Sequence, residues 1–254
     1  MGVAICLFVY ATGAAIFAPP LLRALTADGA APRLGVAAWL AVLVSVLGSW
    51  SVAIVFALGA VAVRVWHHPR VLVILGAGRS QGVATVVTAV VLVGAVAVAA
   101  VQLARLFRAM RARAHEHAEA LRLLGRPLGH YRSGAEGFDP GVVVLAAAEP
   151  AAYCLAGRPD VIVITSGAVD ALGDRELAAV LAHERAHLTG RHPQILTLLR
   201  GLAATFPRLA VCRDGAREVG RLCEMWADDG AIRHHGRAAL LSGLLAMSGI
   251  ATET

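Results

Sequence analysis

Three long stretches of the sequence contain no charged residue, namely residues 2–17, 34–63 and 81–103. A helix needs about 20 apolar residues to cross a bilayer, and the second and third stretches are longer than this. The first stretch is long enough if its helix has little tilt and ends at Pro19-Pro20. Charged residues make up only 16% of the chain, whereas a soluble domain has about 25%. We therefore predict a multi-pass protein of the cell membrane, in contact with the lipid bilayer, with three transmembrane helices at about residues 3–19, 35–63 and 82–104.

Other interpretations of the apolar segments follow from their length and charges. The first stretch could be a signal peptide, but no basic segment precedes it and no convincing small-residue cleavage site follows. Residues 195–212 contain Arg200 and Pro207-Arg208, which are costly in a spanning helix, so this segment is expected to dock the domain on the membrane or to pack on the first helix. Residues 238–251 are too short to cross and form either a core helix or the beginning of a longer span.

A dense arginine cluster at residues 105–113 decides the predicted topology. The positive-inside rule places such a cluster in the cytoplasm, although three crossings then put the loop with Arg64, Arg70 and Arg79 outside, which the same rule disfavours. The cluster is denser than the loop and continues as a basic amphipathic helix suited to anionic lipid. Residues 105–140 are therefore predicted to form a juxtamembrane helix and loop that lead into a cytoplasmic catalytic domain. No nucleic-acid partner is expected, because no basic groove interleaved with aromatic residues is apparent.

Residues 183–187, His-Glu-Arg-Ala-His, match H-E-x-x-H, which combines a metal site with a general base. Histidines four residues apart project from one helix face, so His183 and His187 can both reach one zinc ion. Glu184 points to the side where a zinc-activated water would sit and can take its proton. A solvated helix face is the alternative, because so short a pattern also occurs by chance. The flanking residues 174–188 are largely apolar, which indicates a buried helix and favours the metal site, with Asp174 as the expected N-cap residue.

A second group of candidate residues comprises Glu224 and Asp228, four residues apart on a predicted amphipathic helix. A catalytic zinc has three protein ligands and keeps the fourth position for water, so Glu224 is the candidate third ligand. Asp228 would accept the free N–H of a ligating histidine and fix its tautomer. A solvated acidic patch is the alternative. His192 is a rival ligand, but it comes one residue earlier than the third histidine of metzincins and would be rotated away from the metal.

The segments HERAH and EMWADD together resemble those of the gluzincin-type membrane metallopeptidases. The resemblance covers about residues 142–237. It is to the HtpX and CAAX prenyl protease group and, more closely, to the transmembrane antirepressor-regulating peptidases of beta-lactam resistance signalling. It implies that His183, His187 and Glu224 bind one zinc ion, that Glu184 is the catalytic base and that Asp228 supports a ligating histidine. The chain, which ends at Thr254, has no counterpart of the penicillin-binding sensor domain, so the resemblance does not imply a beta-lactam ligand.

Short β-branched runs at residues 141–145 and 161–165 predict two strands, and residues 150–155 between them predict an edge strand. In zincins the strand beside the metal binds the substrate peptide as an added strand, and Tyr153, Cys154 and Leu155 are the candidates for this role. An ordinary hairpin edge is an equally good interpretation. The predicted fold is a multi-pass α-helical membrane region, residues 1–104, followed after the juxtamembrane segment by a mostly α-helical, zincin-like α+β metallopeptidase domain at residues 141–254.

These features predict a membrane-integrated zinc endopeptidase that cleaves a protein substrate at the membrane surface in signalling or regulation. A quality-control protease that acts on damaged membrane proteins is an alternative within the same class. A sensor or scaffold that binds zinc without turnover is an alternative from another class. The presence of Glu184 argues against this last possibility, because zinc binding alone requires no base.

Overall fold

The fold is described from a computed structural model that covers residues 2–67, 112–128 and 141–248, together with isolated helical residues between 90 and 109. Helices predominate over one small sheet, in agreement with the predicted mostly α-helical α+β class. In chain order the elements are α1 (Gly2–Thr26), α2 (Pro32–His67), β1 (Arg126–Pro127), β2 (Val142–Leu145), β3 (Ala152–Leu155), β4 (Val161–Thr165), α3 (Ser166–Ala171), α4 (Asp174–Thr189), α5 (His192–Thr205), α6 (Ala210–His235) and α7 (Arg237–Met247). Residues 112–124 form a further helix before β1.

Helices α1 and α2 form an antiparallel hairpin of almost entirely apolar residues. Tyr10 and Ser45 share a hydrogen bond of 2.8 Å across it, and the indole N–H of Trp50 donates to the hydroxyl of Thr12 over 3.2 Å. By length and composition both helices can cross a membrane, and only 22% and 17% of their most apolar windows are buried. A core helix of a soluble protein would be mostly buried, so the exposed apolar surface agrees with the first two predicted spans. The third, residues 82–104, lies largely outside the described residues.

The predicted end of the first helix at Pro19-Pro20 is wrong, because α1 continues to Thr26. A proline inside a helix cannot donate to the carbonyl four residues earlier, so two bonds of the ladder are lost. Packing compensates for this loss, since Pro19 and Leu22 are buried and the Thr26 hydroxyl donates to the Leu22 carbonyl over 2.8 Å. Helix α2 begins at Pro32, where a missing N–H costs little because the first helical N–H groups have no partner within the helix.

The sheet has the strand order β1-β2-β4-β3. β2 runs parallel to β4, whereas β1 and β3 are antiparallel to their neighbours. β4 is buried along its whole length, as expected for a run of β-branched residues inside a sheet. The strands predicted at 141–145 and 161–165 are confirmed, and β3 is an edge strand within the predicted 150–155 segment.

Strand β1 departs from the predicted loop in the juxtamembrane segment. Arg126 and Pro127 pair with Val144 and Val143 of β2. Gly125 makes this pairing possible, because a Cβ on it would lie 2.8 Å from Cβ of Val143, and only glycine fits so close. The helix at 112–124 is thereby joined directly to the sheet.

Helix α4 begins at Asp174, and its N-cap residue is Gly173 rather than the predicted Asp174. The cause is Glu176, whose carboxylate accepts the backbone N–H of Gly173 over 2.8 Å and so satisfies the start of the helix one residue earlier. Leu177 and Leu181 on one side of α4 are buried with alternate residues of β2 and β4. The sheet therefore supports this helix along its apolar side.

A second core joins α5 and α6 to the α1–α2 hairpin. Trp39 of α2 is completely buried there with Leu199 of α5 and Val219 of α6. The segment 195–212 is thus divided between two helices that pack on the hairpin, in agreement with the packing interpretation. Helix α7 buries Leu240, which agrees with the core-helix interpretation of the segment that begins at residue 238.

Polar contacts hold α6 at the end of the hairpin where α1 is connected to α2. Asp214 of α6 is buried, and its carboxylate lies 3.4 Å from the guanidinium of Arg23 of α1. Arg221 donates to the carbonyl of Thr26 over 2.7 Å. Gly29 lies so close to Met225 that a Cβ there would overlap its side chain. The middle of α6 is therefore positioned by the connection between the two apolar helices.

Replacing Leu181 with alanine tests the support of α4 by the sheet. Because Leu181 is completely buried, Leu181→Ala should lower the free energy of unfolding by about 2–5 kcal/mol through lost burial and the cavity left behind. Leu124→Ala, at a residue that is 77% exposed, should change it by less than about 0.5 kcal/mol. Thermal unfolding followed by circular dichroism measures both effects, and equal midpoints for the two variants would contradict the described packing.

Candidate metal centre

Two facing helices, α4 and α6, bring the predicted site residues together. α4 carries His183, Glu184 and His187, and α6 carries Glu224 and Asp228. The two histidines lie four positions apart in the chain, and so do Glu224 and Asp228, so each pair projects from one face of its helix.

Small residues at the α4–α6 contact let the two helices approach closely. A Cβ on Gly230 of α6 would lie 3.3 Å from Cβ of Ala186 of α4. Ala179 of α4 and Ala231 of α6 are completely buried in the same contact. The distance between helix axes depends on the side chains at the contact, so these residues bring the α6 carboxylates within reach of the histidines.

The three candidate ligand atoms converge on one point, the proposed position of the metal, which we call the metal point. Nε2 of His183 lies 3.0 Å from Nε2 of His187, and Oε2 of Glu224 lies 3.6 Å from the first and 3.4 Å from the second. Ligands placed about 2.0–2.1 Å from a tetrahedral zinc ion are about 3.3 Å apart. The three distances lie close to that value, and the set of two imidazoles and one carboxylate is one that zinc accepts. Among the described residues, no other three histidine, cysteine or acidic side chains converge in this way.

The charges around this point favour a cation. Burial lowers the pKa of His183, but its contacts with the carboxylates of Asp228 and Glu224 outweigh burial and raise the pKa to about 9. The contacts with His183 and His187 hold the pKa of Glu224 well below its ordinary value, so this carboxylate is ionised at neutral pH. A proton bound by His183 is therefore stabilised by negative charge, and a metal cation that takes the place of the proton would gain the same stabilisation.

Asp228 lies behind His183. Its Oδ1 is 3.0 Å from Nδ1 of the imidazole, on the opposite side of the ring from the converging Nε2. A carboxylate in this position favours the tautomer with the proton on Nδ1, which leaves the Nε2 lone pair directed at the metal point. The two atoms lie close together, but the ring N–H of His183 is not aligned with the carboxylate oxygen as in a hydrogen bond, so the role of Asp228 stays a prediction.

Glu184 is half-buried beside the edge strand β3. Burial, followed by the charge of the neighbouring Glu184 carboxylate, raises the pKa of the Cys154 thiol well above its ordinary value, so the thiol is protonated at neutral pH. Of the three strand residues predicted to bind substrate, Cys154 therefore faces the candidate base. Tyr153 is 39% exposed, and Leu155 packs behind the sheet with Val161 and Val163.

His192 does not join the converging atoms, but it contacts one of the histidines. It is completely buried at the start of α5, and its Nδ1 lies 2.9 Å from Nδ1 of His187. Burial, and next the charge of His187, lower the pKa of His192 to about 4, so the ring is neutral at neutral pH. The sequence offered His192 only as a rival ligand. Its contact depends on Arg191, whose left-handed backbone (φ 53°) separates α4 from α5 and turns the chain back toward His187.

A helix with H-E-x-x-H that faces a glutamate from a second helix is typical of zinc metallopeptidases. Residues 131–212, which include His183, Glu184 and His187, match the model of Peptidase family M48, and this match supports a metallopeptidase of that family. Glu224 and Asp228 follow the matched residues, so their assignment depends on the geometry. A search of curated proteins and a search of solved structures each found no match. The closer resemblance to the antirepressor-regulating peptidases stays a prediction.

Replacing Glu224 tests the proposed third ligand. With one of three ligand atoms removed, Glu224→Ala should lose stoichiometric zinc at micromolar protein, because a site with only two protein ligands binds zinc weakly. Asp229→Ala, which removes an exposed carboxylate five positions further along the same helix, should keep one zinc per chain. Elemental analysis of the purified proteins after gel filtration measures the difference. Full zinc content in Glu224→Ala would remove Glu224 from the ligand set.

Proposed function

We propose that this protein is a membrane-integrated zinc endopeptidase that hydrolyses a protein substrate at the membrane surface. The observation that carries the proposal is the convergence of two imidazole nitrogens and one carboxylate oxygen within 3.0–3.6 Å, beside a further glutamate that takes no part in the cluster. Zinc binding requires only the first three groups. The fourth, Glu184, has the chemistry of a general base.

The residues divide the reaction between them. A zinc ion held by His183, His187 and Glu224 would polarise the scissile carbonyl and acidify the attacking water. Glu184 takes the proton from that water and passes it to the leaving amine nitrogen, while the new C–O bond forms and the C–N bond breaks. Asp228 keeps Nε2 of His183 directed at the metal. The carboxylate of Glu184 returns to its starting state after each turnover.

The substrate is proposed to bind along β3. Among the described strands, β3 lies at one edge of the sheet and pairs only with β4, so its other side can hydrogen-bond to an extended peptide. Its residue Cys154 neighbours Glu184, which would bring the backbone of a bound peptide close to the base. Cleavage within an extended segment, rather than at a chain end, fits this open edge.

The site is proposed to lie at the membrane surface, on the side where α1 is connected to α2. Arg221, three residues before Glu224 on α6, donates to the carbonyl of Thr26 at the end of α1. Ala15 and Leu22 of α1 belong to the core shared with α6, which favours a retained helix over a cleaved signal peptide. The arginine cluster at 105–113 favours the cytoplasmic side. The multi-pass topology with a third span at 82–104 is part of this proposal.

A regulatory role, with one dedicated substrate, is proposed on the resemblance to the antirepressor-regulating peptidases. A quality-control protease would use the same chemistry on many damaged membrane proteins. A zinc-binding sensor without turnover is disfavoured because Glu184 adjoins the candidate ligand His183 in the chain, where a non-catalytic site needs no carboxylate.

Replacing Glu184 with glutamine separates metal binding from catalysis. The amide cannot accept the proton of the attacking water, so Glu184→Gln should keep one zinc per chain and lose about 10²–10⁴-fold in the rate of proteolysis. Asp229→Asn, the same carboxylate-to-amide change at an exposed position, is the control and should leave the rate unchanged. Cleavage of an unfolded protein substrate, measured with and without chelator, tests this. Undiminished proteolysis by Glu184→Gln would exclude the proposed mechanism.

Cysteine labelling tests the proposed side of the membrane. Asp28→Cys, at an exposed position in the α1–α2 connection, and Ser133→Cys, outside the described residues, are each introduced after the four native cysteines have been replaced. An impermeant maleimide should label neither on intact cells and both after permeabilisation. Labelling of both on intact cells would put the catalytic domain outside the cell, and labelling of only one would show that the connection and the domain are on opposite sides.

A further inference from the structure

His192 occupies a position that its surroundings have shaped for an imidazole. The residue is completely buried, and its ring packs edge-on against His187 on one side and Trp226 on the other, with ring centroids 4.9 and 4.8 Å apart. A Cβ on Gly190 would overlap the Nε2 end of the ring, so the glycine leaves the space that the ring fills. Gly190 has an ordinary negative φ of −77° and is not required by the backbone.

The proton between His192 and His187 can be assigned from geometry. Nε2 of His187 faces Nε2 of His183 at 3.0 Å and Glu224 at 3.4 Å, so this nitrogen must present a lone pair when a metal is bound. The proton of a neutral His187 is then on Nδ1. Since Nδ1 of His192 lies 2.9 Å from that atom, it must be the acceptor of the hydrogen bond.

We propose that His192 is a positioning residue for the metal ligand His187: it accepts the Nδ1–H of His187 and thereby keeps the Nε2 lone pair directed into the metal site. The role matches the one proposed for Asp228 toward His183, so each histidine ligand would have its own acceptor, a carboxylate for one and an imidazole for the other. The inference rests on the proposed zinc site and concerns how strongly the site holds its ion.

The other nitrogen of His192 supports this role over simple packing. Nε2 is buried and has no hydrogen-bond partner among the described residues. Burying an unpaired polar atom costs free energy, so an apolar side chain would be the better choice if the position served only to fill space. The cost is offset if Nδ1 is needed as an acceptor.

The test compares two side chains of similar size at position 192 in the purified full-length protein. His192→Asn keeps an acceptor near the place of Nδ1, whereas His192→Leu removes it. Metal-stripped proteins are titrated with zinc in competition with a chromophoric chelator, which gives the affinity without reference to activity. We expect His192→Leu to bind zinc about 10–100-fold more weakly than the wild type and His192→Asn to recover most of that loss. Both should still fill the site at excess zinc, because His192 is not a ligand.

Gly190→Ala provides a variant that retains every hydrogen-bonding atom. Its new methyl group should displace the ring of His192, so the affinity for zinc should again fall. This variant tests the proposal even if His192→Leu does not fold. Zinc affinity equal to that of the wild type in either His192→Leu or Gly190→Ala would overturn the proposal. An equal loss of zinc affinity in the asparagine and leucine variants would also overturn it. If the variants change zinc affinity as expected but the wild-type protein cleaves no substrate, the proposed function is refuted and this inference stays intact.

Discussion

The close contact between α4 and α6 is the constraint on which the candidate metal site depends. The candidate ligands come from two helices, and the separation of these helices is set where Ala186 meets Gly230. A larger side chain at either position would move the helices apart, and a displacement of one ångström would spoil the 3.0–3.6 Å spacing of the ligand atoms. The rest of the structure holds this contact from both sides, since the sheet packs under α4 and the hairpin packs on α6.

Helix α6 belongs to two parts of the molecule at once. Its first half, which includes Val219, is buried with the hairpin, and its second half, which includes Ala231, packs on α4. Glu224 lies between these halves. Asp214 is buried, and its carboxylate contacts Arg23 of α1 as well as Arg213 and Arg217 of its own helix, so it adds a polar contact between α6 and the hairpin. The candidate ligand from α6 is therefore positioned by the apolar hairpin as much as by the domain that carries the histidines.

The sequence predicts best what depends on local spacing. H-E-x-x-H and the Glu224–Asp228 pair each lie on one helix, and the short strands follow from β-branched runs. What depends on tertiary packing was missed or wrong: α1 continues through Pro19-Pro20 because burial compensates for two lost bonds. The contact between His192 and His187 could not be foreseen because it depends on one left-handed residue, Arg191. The third predicted span falls largely on residues that the structure does not describe.

The candidate ligands differ in their access to water, and this difference would have a consequence for metal exchange. The side chains of His183 and His187 are only 10% and 11% exposed, whereas that of Glu224 is 59% exposed. An ion in this site would thus have a hydrated path on the carboxylate side, unlike one in a closed structural site. Such a path would let an ion enter after synthesis, and a small chelator remove it, without unfolding of the protein. The identity of the resident metal would then follow the supply of ions around the folded protein rather than the ion present during folding.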